Sequence, residues 1–388
     1  MFLKYYTFVK KINMIQRNIE TQINEHLFKG KAIILLGPRQ TGKTTLIKKI
    51  LNNVGSQTLY FNGDDPIVTQ ILNRPNTQQL KQIIGKNTIV FIDEAQRINE
   101  IGITAKIIID EFPDVQLILS GSSAFELSQK TNEPLTGRKW TYHLSPISWE
   151  EWQNNVGYLK AEQDLENRLV FGFYPDVLIN ETEPVRILKE LTESYLYKDV
   201  LMYGNLKKPE EIQKLLQAIA YQVGSEVSMR ELGEIVGSDP KTIERYITVL
   251  ERAFVIFRLF PFSLNLRNEI KTNRKIYFYD NGIRNAVINQ LQPLAARQDI
   301  GILWENFLIS ERNKLLNYNS INANRYFWRT VQQQEIDYVE EIDGKLFAYE
   351  FKWNEKRKVK FSKTFTETYS SQNIIVNRGN FRDFVIHQ

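Results

Sequence analysis

Apolar residues in this chain fall in short runs separated by longer polar or helical stretches. Ala32–Leu36 (AIILL) reads as a buried strand running into a glycine-rich loop, and Lys43–Leu51 reads as a helix. Residues 20–28 predict a short helix before the strand. Three further apolar runs, Thr58–Phe61, Thr88–Ile92 and Val115–Leu119, alternate with helical or polar stretches. That alternation predicts a parallel sheet covered on both faces. A run from Arg138 to Leu144 stops at Ser145-Pro146, and Ser148 then opens a helix containing Trp149 and Trp152. Residues 160–225 read as mainly helical, 226–265 as a helix-turn-helix followed by strands, and the remainder from about 300 as a helix, strands and a charged tail. The expected fold class is α/β. Its divisions are an N-terminal extension (1–13), a parallel-sheet α/β domain (14–155), a helical region (156–225), a helix-turn-helix module (226–290) and a C-terminal α/β domain (291–388).

Composition narrows the chemistry. The 388 residues contain no cysteine, which excludes disulfides, thiolate metal sites and cysteine nucleophiles. The missing cysteines fit a reducing, cytoplasmic setting. No apolar run is long enough for a membrane span, and the first residues lack the pattern of a signal peptide. The net charge of +5 is uneven. Residues 1–150 hold 18 basic and 13 acidic side chains, whereas 151–388 hold 32 of each. Lys4, Lys10, Lys11 and Arg17 precede the first acid, Glu20, and Met14 is an alternative start. The total charge therefore says little about nucleic acid, and local clusters at 258–275 and 352–363 matter more.

The glycine loop is Gly37-Pro38-Arg39-Gln40-Thr41-Gly42-Lys43-Thr44, followed by Thr45. It matches the phosphate-binding pattern GxxxxGK[ST] in the strand–loop–helix context that pattern requires. Glycines let backbone N–H groups face a phosphate chain, and the helix N-terminus adds positive potential. Lys43 is expected to reach the β- and γ-phosphates and Thr44 to ligate Mg²⁺. Ile89-Val-Phe-Ile-Asp93-Glu94 is the matching second element. There Asp93 would hold Mg²⁺ and Glu94 polarise water. No guanine-selecting Asn-Lys-x-Asp element follows, which favours ATP. Ser120 ends the next strand as a γ-phosphate sensor or a simple turn residue. Arg138 is the candidate arginine finger, in cis or in trans, with Arg97 as its weaker rival.

Two later features bear on partners. Ser228 and Asp239 cap successive helices, and Lys241, Arg245 and Thr248 lie on the outer face of the second. With Arg258, Arg267, Lys271, Arg274 and Lys275 they could meet DNA, or the module could pack between its neighbours with its charges solvated. Further on, Asp343-Gly344 between alternating arms predicts a hairpin that sets Asp337 opposite Glu350 and Glu335 opposite Lys352. Like charges directly opposed are destabilising, and a divalent cation would relieve them. A metal site, a decayed one and an ordinary hairpin all stay open on this pattern.

GPRQTGKTT, VFIDEAQ, LILSGSSAFEL, LTGR, LSPISWEEW, FGFYPDVL, YLYKDV, KIYFYDNGIR, WENFL, FWR and EIDYV…YEFKW together resemble bacterial and archaeal AAA+-type ATPases with a C-terminal winged helix and a restriction-endonuclease-like domain. The resemblance runs from about Met14 past residue 370. It implies ATP binding at the loop and supports Ser120 and Arg138 as site residues. It also implies a PD-(D/E)xK arrangement with Glu305, Asp337, Glu350 and Lys352 around a second Mg²⁺ or Mn²⁺. Two functions are expected: ATP hydrolysis coupled to nucleic-acid binding or processing, or a nucleotide-switched regulator that senses a protein or DNA partner and has an inactive C-terminal domain. An oligomer is compatible with both, and neither needs a membrane.

Overall fold

The computed structural model describes residues 14–122, 124–193, 208–262, 274–330, 332–357 and 360–387. The expected N-terminal extension, the YLYKDV segment, and Arg267 and Lys271 lie outside these residues. Helix α1 (Ile19–His26) precedes β1 (Ala32–Leu36), the glycine loop and helix α2 (Lys43–Val54). Strands β2 (Thr58–Asn62), β3 (Ile89–Asp93), β4 (Gln116–Gly121) and β5 (Lys139–His143) complete a five-stranded sheet ordered β2-β3-β4-β1-β5. Every neighbouring pair is parallel. Alternation explains why AIILL reads as continuously apolar. Ile33 and Leu35 face one layer with Ile19, Ile47 and Ile50, while Ala32, Ile34 and Leu36 face the other with Ile101, Ala105 and Ile108. Both faces of the strand are dry, as a central strand of a parallel sheet requires.

The rest of the chain forms a second body around a main apolar core that includes Ile147, Trp149 and Val385, with a smaller cluster of Trp328, Ile336, Val339, Ala348 and Phe365 on its sheet. A helix at Pro209–Tyr221, strand β6 (Glu226–Val227) and helices Met229–Val236 and Pro240–Arg252 lead into β7 (Ile256–Pro261) and β8 (Arg274–Phe278). The caps read from sequence are present. Ser228 accepts from the Glu231 N–H, and the Asp239 carboxylate accepts from the Lys241 and Thr242 N–H groups. β8 pairs antiparallel with both β6 and β7. The sheet does not stop at the expected boundary near 290. β7 runs parallel to β9 (Asn324–Arg329), which continues through β10 (Glu335–Ile342), β11 (Lys345–Phe351) and β12 (Ser371–Val376) into one seven-stranded sheet. The 226–290 and 291–388 segments therefore share a sheet and a core.

The β10–β11 hairpin keeps the expected register, with Tyr338 opposite Tyr349 and Ile342 opposite Lys345. Asp343 and Gly344 both take positive φ (49° and 73°), as a two-residue turn needs. One expectation fails. The β9–β10 register shifts between Ile336 and Val339, so side-chain alternation breaks beside Asp337. Glu335 consequently turns to Lys275 on β8 instead of Lys352.

A 19-residue helix, Ile300–Tyr318, joins the two bodies. Asn317 donates to the His143 carbonyl, Lys314 to the Ile147 carbonyl, and Glu311 accepts from the Trp149 N–H. Phe254, in the turn after the Pro240–Arg252 helix, inserts into the core of the five-stranded sheet and meets His143 edge-on. No helix of the described residues is long and apolar enough to cross a membrane.

Candidate nucleotide site

The glycine loop lies at the C-terminal ends of β1, β3 and β4. Gly37 is required by space, because a Cβ there would come within 2.1 Å of the Leu144 carbonyl oxygen. Gly42 has φ 89°, a left-handed conformation that lets the chain turn into α2. Lys43 is buried and donates to the Gly37 and Pro38 carbonyls at 2.9 and 2.8 Å. Burial pushes its ammonium down to about 8. Asp93 and Glu94 oppose that shift, and Arg39 adds to it.

The acids at the end of β3 are held mainly by hydroxyl and amide groups. Thr44 donates to Asp93 Oδ2 at 2.6 Å, Ser120 donates to Asp93 Oδ1, and Tyr60 stands 3.5 Å from Oδ2. Glu94 sits at φ 48°, and its Oε2 accepts from Ser122 at 2.8 Å and Gln96 at 2.6 Å. Thr44 and Asp93 offer only oxygen donors, a set suited to a hard divalent cation such as Mg²⁺. Lys43, Thr44, Asp93, Glu94 and Ser120 thus converge. Gln96, Tyr60 and Ser122 join them without having been assigned a role from sequence. VFIDEAQ shows Gln96 close to the acids, but a side-chain contact across two strands has no one-dimensional signal.

A cavity of about 430 Å³ opens beside the loop. Its walls include Ile15, Gln40, Gly42, Thr45, Pro175 and Ile179. The FGFYP stretch reaches this cavity only through Pro175. Gly172 and Phe173 are turned to Asp280, whose carboxylate accepts from the Phe173 N–H at 2.7 Å and leaves no space for a Cβ on Gly172.

Arg138 does not enter the site within this chain. It precedes β5, at the end of the sheet opposite the loop, and pairs with Asp110 at 2.8 Å. Its expected role in cis is therefore not met. Arg97 pairs with Asp64 at 3.3 Å.

The C-terminal acids come together differently. Tyr277 donates to Glu305 at 2.7 Å, while the buried Lys275 lies 3.5 Å from Glu305 and also pairs with Glu335. Lys352 bridges Asp337 at 3.2 Å and Glu350 at 2.8 Å. Glu305 is pushed up to about 7 by burial, against Lys275 and with Asp337. Glu350 also rises to about 7, by burial and then by Asp337, against Lys352. Among the described residues no three His, Asp or Glu side chains are placed to hold a metal ion. Of the expected set Glu305, Asp337, Glu350 and Lys352, the last three are joined by ion pairs, while Glu305 is turned to Tyr277 and Lys275. The basic stripe is likewise neutralised where it is described. Arg258 pairs with Glu244 and Glu251, Arg274 with Glu244, and Lys275 is buried.

Comparisons with known proteins agree with the N-terminal geometry. Residues 29–153 match the family described as AAA domain. Residues 162–294 and 300–387 match two domains of unknown function, DUF8612 and DUF4143. An uncharacterized protein of Mycobacterium tuberculosis is 25% identical over 341 residues, 87% of this chain and 74% of that one. An uncharacterized protein of Methanocaldococcus jannaschii is 23% identical over 351 residues, 85% of this chain and 76% of that one. Among solved structures, the Walker-type ATPase of Pyrococcus abyssi superposes with a TM-score of 0.51 at 16% identity, covering 71% of this chain and 96% of that one. At that identity the likeness establishes fold alone. Residues 29–153 are thus similar to the AAA domain family, and the N-terminal part of this chain has the α/β fold of a P-loop ATPase.

Proposed function

We propose that the protein binds Mg-ATP at the Gly37–Thr45 loop and hydrolyses it. One observation carries this reading: Lys43 and Thr44 stand beside an acid pair whose oxygens are held by hydroxyl and amide donors. Lys43 would leave the Gly37 and Pro38 carbonyls for the phosphate oxygens, and backbone N–H groups of Pro38–Thr44 other than the proline would cradle them. Thr44 and Asp93 are the residues that would hold Mg²⁺, which when bound supplies positive charge to the phosphate oxygens. Glu94, freed from Ser122 and Gln96, would take the proton of the attacking water, with Ser120 keeping Asp93 in place. The cavity walled by Ile15, Thr45 and Pro175 suits a flat heteroaromatic base. The test is Mg²⁺-dependent phosphate release from ATP and binding of a fluorescent ATP analogue. Wild type should show both. Equal turnover by Lys43→Ala would overturn the assignment.

For the C-terminal body we infer a nucleotide-responsive binding role in preference to cleavage. The lysine bridges across Asp337, Glu350, Glu305 and Glu335 support this, because Lys275 and Lys352 already engage carboxylate oxygens that a second Mg²⁺ or Mn²⁺ would have to take. Nucleic acid is the partner favoured by the exposed Lys241 and Arg245 and by the exposed tail residues Lys356, Arg357, Lys360 and Lys363. Binding of a short duplex should then weaken steeply with salt and should alter ATP turnover. Mg²⁺- or Mn²⁺-dependent cleavage that disappears in Asp337→Ala would reverse the preference and restore the nuclease reading.

A further inference from the structure

Arg17 occupies a position that neither the phosphate loop nor the C-terminal acids account for. It is 6% exposed and every nitrogen of its guanidinium is engaged. Nε pairs with Glu151 at 3.1 Å, Nη1 donates to the Thr41 carbonyl inside the glycine loop at 2.8 Å, and Nη2 donates to the Ser145 carbonyl at 2.6 Å and to the Tyr318 hydroxyl at 3.3 Å. Glu151 is fixed in turn, since it accepts from the Ser148 and Asn18 N–H groups. The Tyr318 hydroxyl also accepts from the Ser145 N–H at 3.1 Å. Arg17 further lines the cavity beside the loop. One planar cation therefore ties the loop residue just before Gly42 to the last residue of the Ile300–Tyr318 helix.

That helix carries Glu305 into the C-terminal acid cluster. Tyr318 lies thirteen positions beyond Glu305 on the helix, a rigid span of roughly 20 Å. We propose that Arg17 and Tyr318 form a coupling joint through which occupancy of the nucleotide loop repositions the Ile300–Tyr318 helix and, with it, the carboxylate cluster around Glu305. Arg17 and Tyr318 act here as positioning residues. The inference rests on the nucleotide-binding reading above. A buried guanidinium with a fixed fork cannot follow a moved Thr41 carbonyl and keep its other partners unchanged, so a shift on one side is passed to the other. Linkage makes the effect reciprocal: whatever binds the C-terminal body changes nucleotide affinity by the same factor.

Hydrogen–deuterium exchange of the full-length protein with and without Mg-ATPγS tests the joint, with affinity followed in parallel by a fluorescent ATP analogue. Wild type should show slowed exchange in peptides covering 300–318 and 335–351. Tyr318→Phe keeps the ring and removes the hydroxyl, and Arg17→Lys keeps the charge and removes the fork. Both should reduce that response by about 5-fold or more. Asn317→Ala breaks the adjacent bond to the His143 carbonyl without touching Arg17, and should leave the response intact. A wild type that binds the analogue without any exchange change at 300–318 overturns the coupling alone. So does an Asn317→Ala variant that loses the response as fully as Tyr318→Phe. Failure of wild type to bind the analogue removes the nucleotide reading and the coupling together.

Discussion

Two groups of acids in this molecule are assembled by opposite means. At the end of β3, Asp93 and Glu94 are held by Thr44, Ser120, Ser122 and Gln96, while Lys43 donates to loop carbonyls. In the seven-stranded sheet, Glu305, Glu335, Asp337 and Glu350 are held by Lys275 and Lys352. The difference decides what each group can still do. A hydroxyl orients a carboxylate without cancelling its charge, so Asp93 and Glu94 keep their attraction for a cation or a proton. A lysine offsets part of it and occupies carboxylate oxygens, so an incoming metal must first displace an ion pair that is already formed.

The sharpest way to break this contrast is Lys43→Ala. Loss of the ammonium from a dry site should lower ATP turnover by about 10²-fold or more, read as phosphate release. A comparable loss of turnover in Lys352→Ala would mean that the C-terminal cluster takes part in hydrolysis itself, beyond any positional coupling through Arg17 and Tyr318. Glu94→Gln should come next, with turnover reduced by about 10²-fold and analogue binding retained, since in the proposed reaction Glu94 acts on water and not on nucleotide. If Glu94→Gln loses binding instead, the acid is structural.

The two clusters should also differ in their response to pH. Lys43 in the free protein loses its proton as pH rises through about 8, so nucleotide affinity should fall above that pH, by up to about tenfold per unit. Glu305 behaves in the opposite sense. Its folded-state pKa of about 7 lies above the ordinary 4.5, so the folded protein binds the proton more tightly than the unfolded chain does. Stability from this group is complete at acid pH and is lost as pH rises from 4.5 through 7. Glu305→Gln should therefore gain on wild type by a few degrees in Tm between pH 5 and pH 8. A gap that does not change with pH would mean Lys275 compensates the charge fully. The smallest effect belongs to Arg138→Ala. Its surface pair with Asp110 predicts a stability change within about 0.5 kcal/mol and, in dilute monomer, unchanged turnover. A drop in turnover that appears only as protein concentration rises would assign Arg138 to a neighbouring subunit's site.

The loop and both Asp93 and Glu94 are legible in the sequence because their geometry is local. A strand end, a glycine turn and a helix start fix Lys43 and Thr44 within a few residues. The hairpin register is legible for the same reason, as Asp343 and Gly344 set it from the turn outwards. The pairing of Glu335 is not. It depends on a register shift against β9, which lies on the other side of β10 and is decided by packing of Trp328, Ile336 and Val339. Arg258 and Arg274 read as available cations, yet Glu244 and Glu251 approach from the preceding helix and cancel them.

The sequence by itself determined the fold class of the N-terminal domain, the positions of its glycine loop and strand-end acids, the helix caps at Ser228 and Asp239, and the hairpin. Each follows from steric and hydrogen-bonding rules acting over a few residues. Only the tertiary structure decided which charges remain available. It set Arg138 at the far end of its sheet, gave the C-terminal acids to Lys275 and Lys352, ran one sheet through the expected boundary at 290, and brought Arg17 from before β1 to Tyr318. Whether a charge is free or cancelled depends on residues brought within a few ångströms by packing, and the spacing of residues along a chain does not encode that distance.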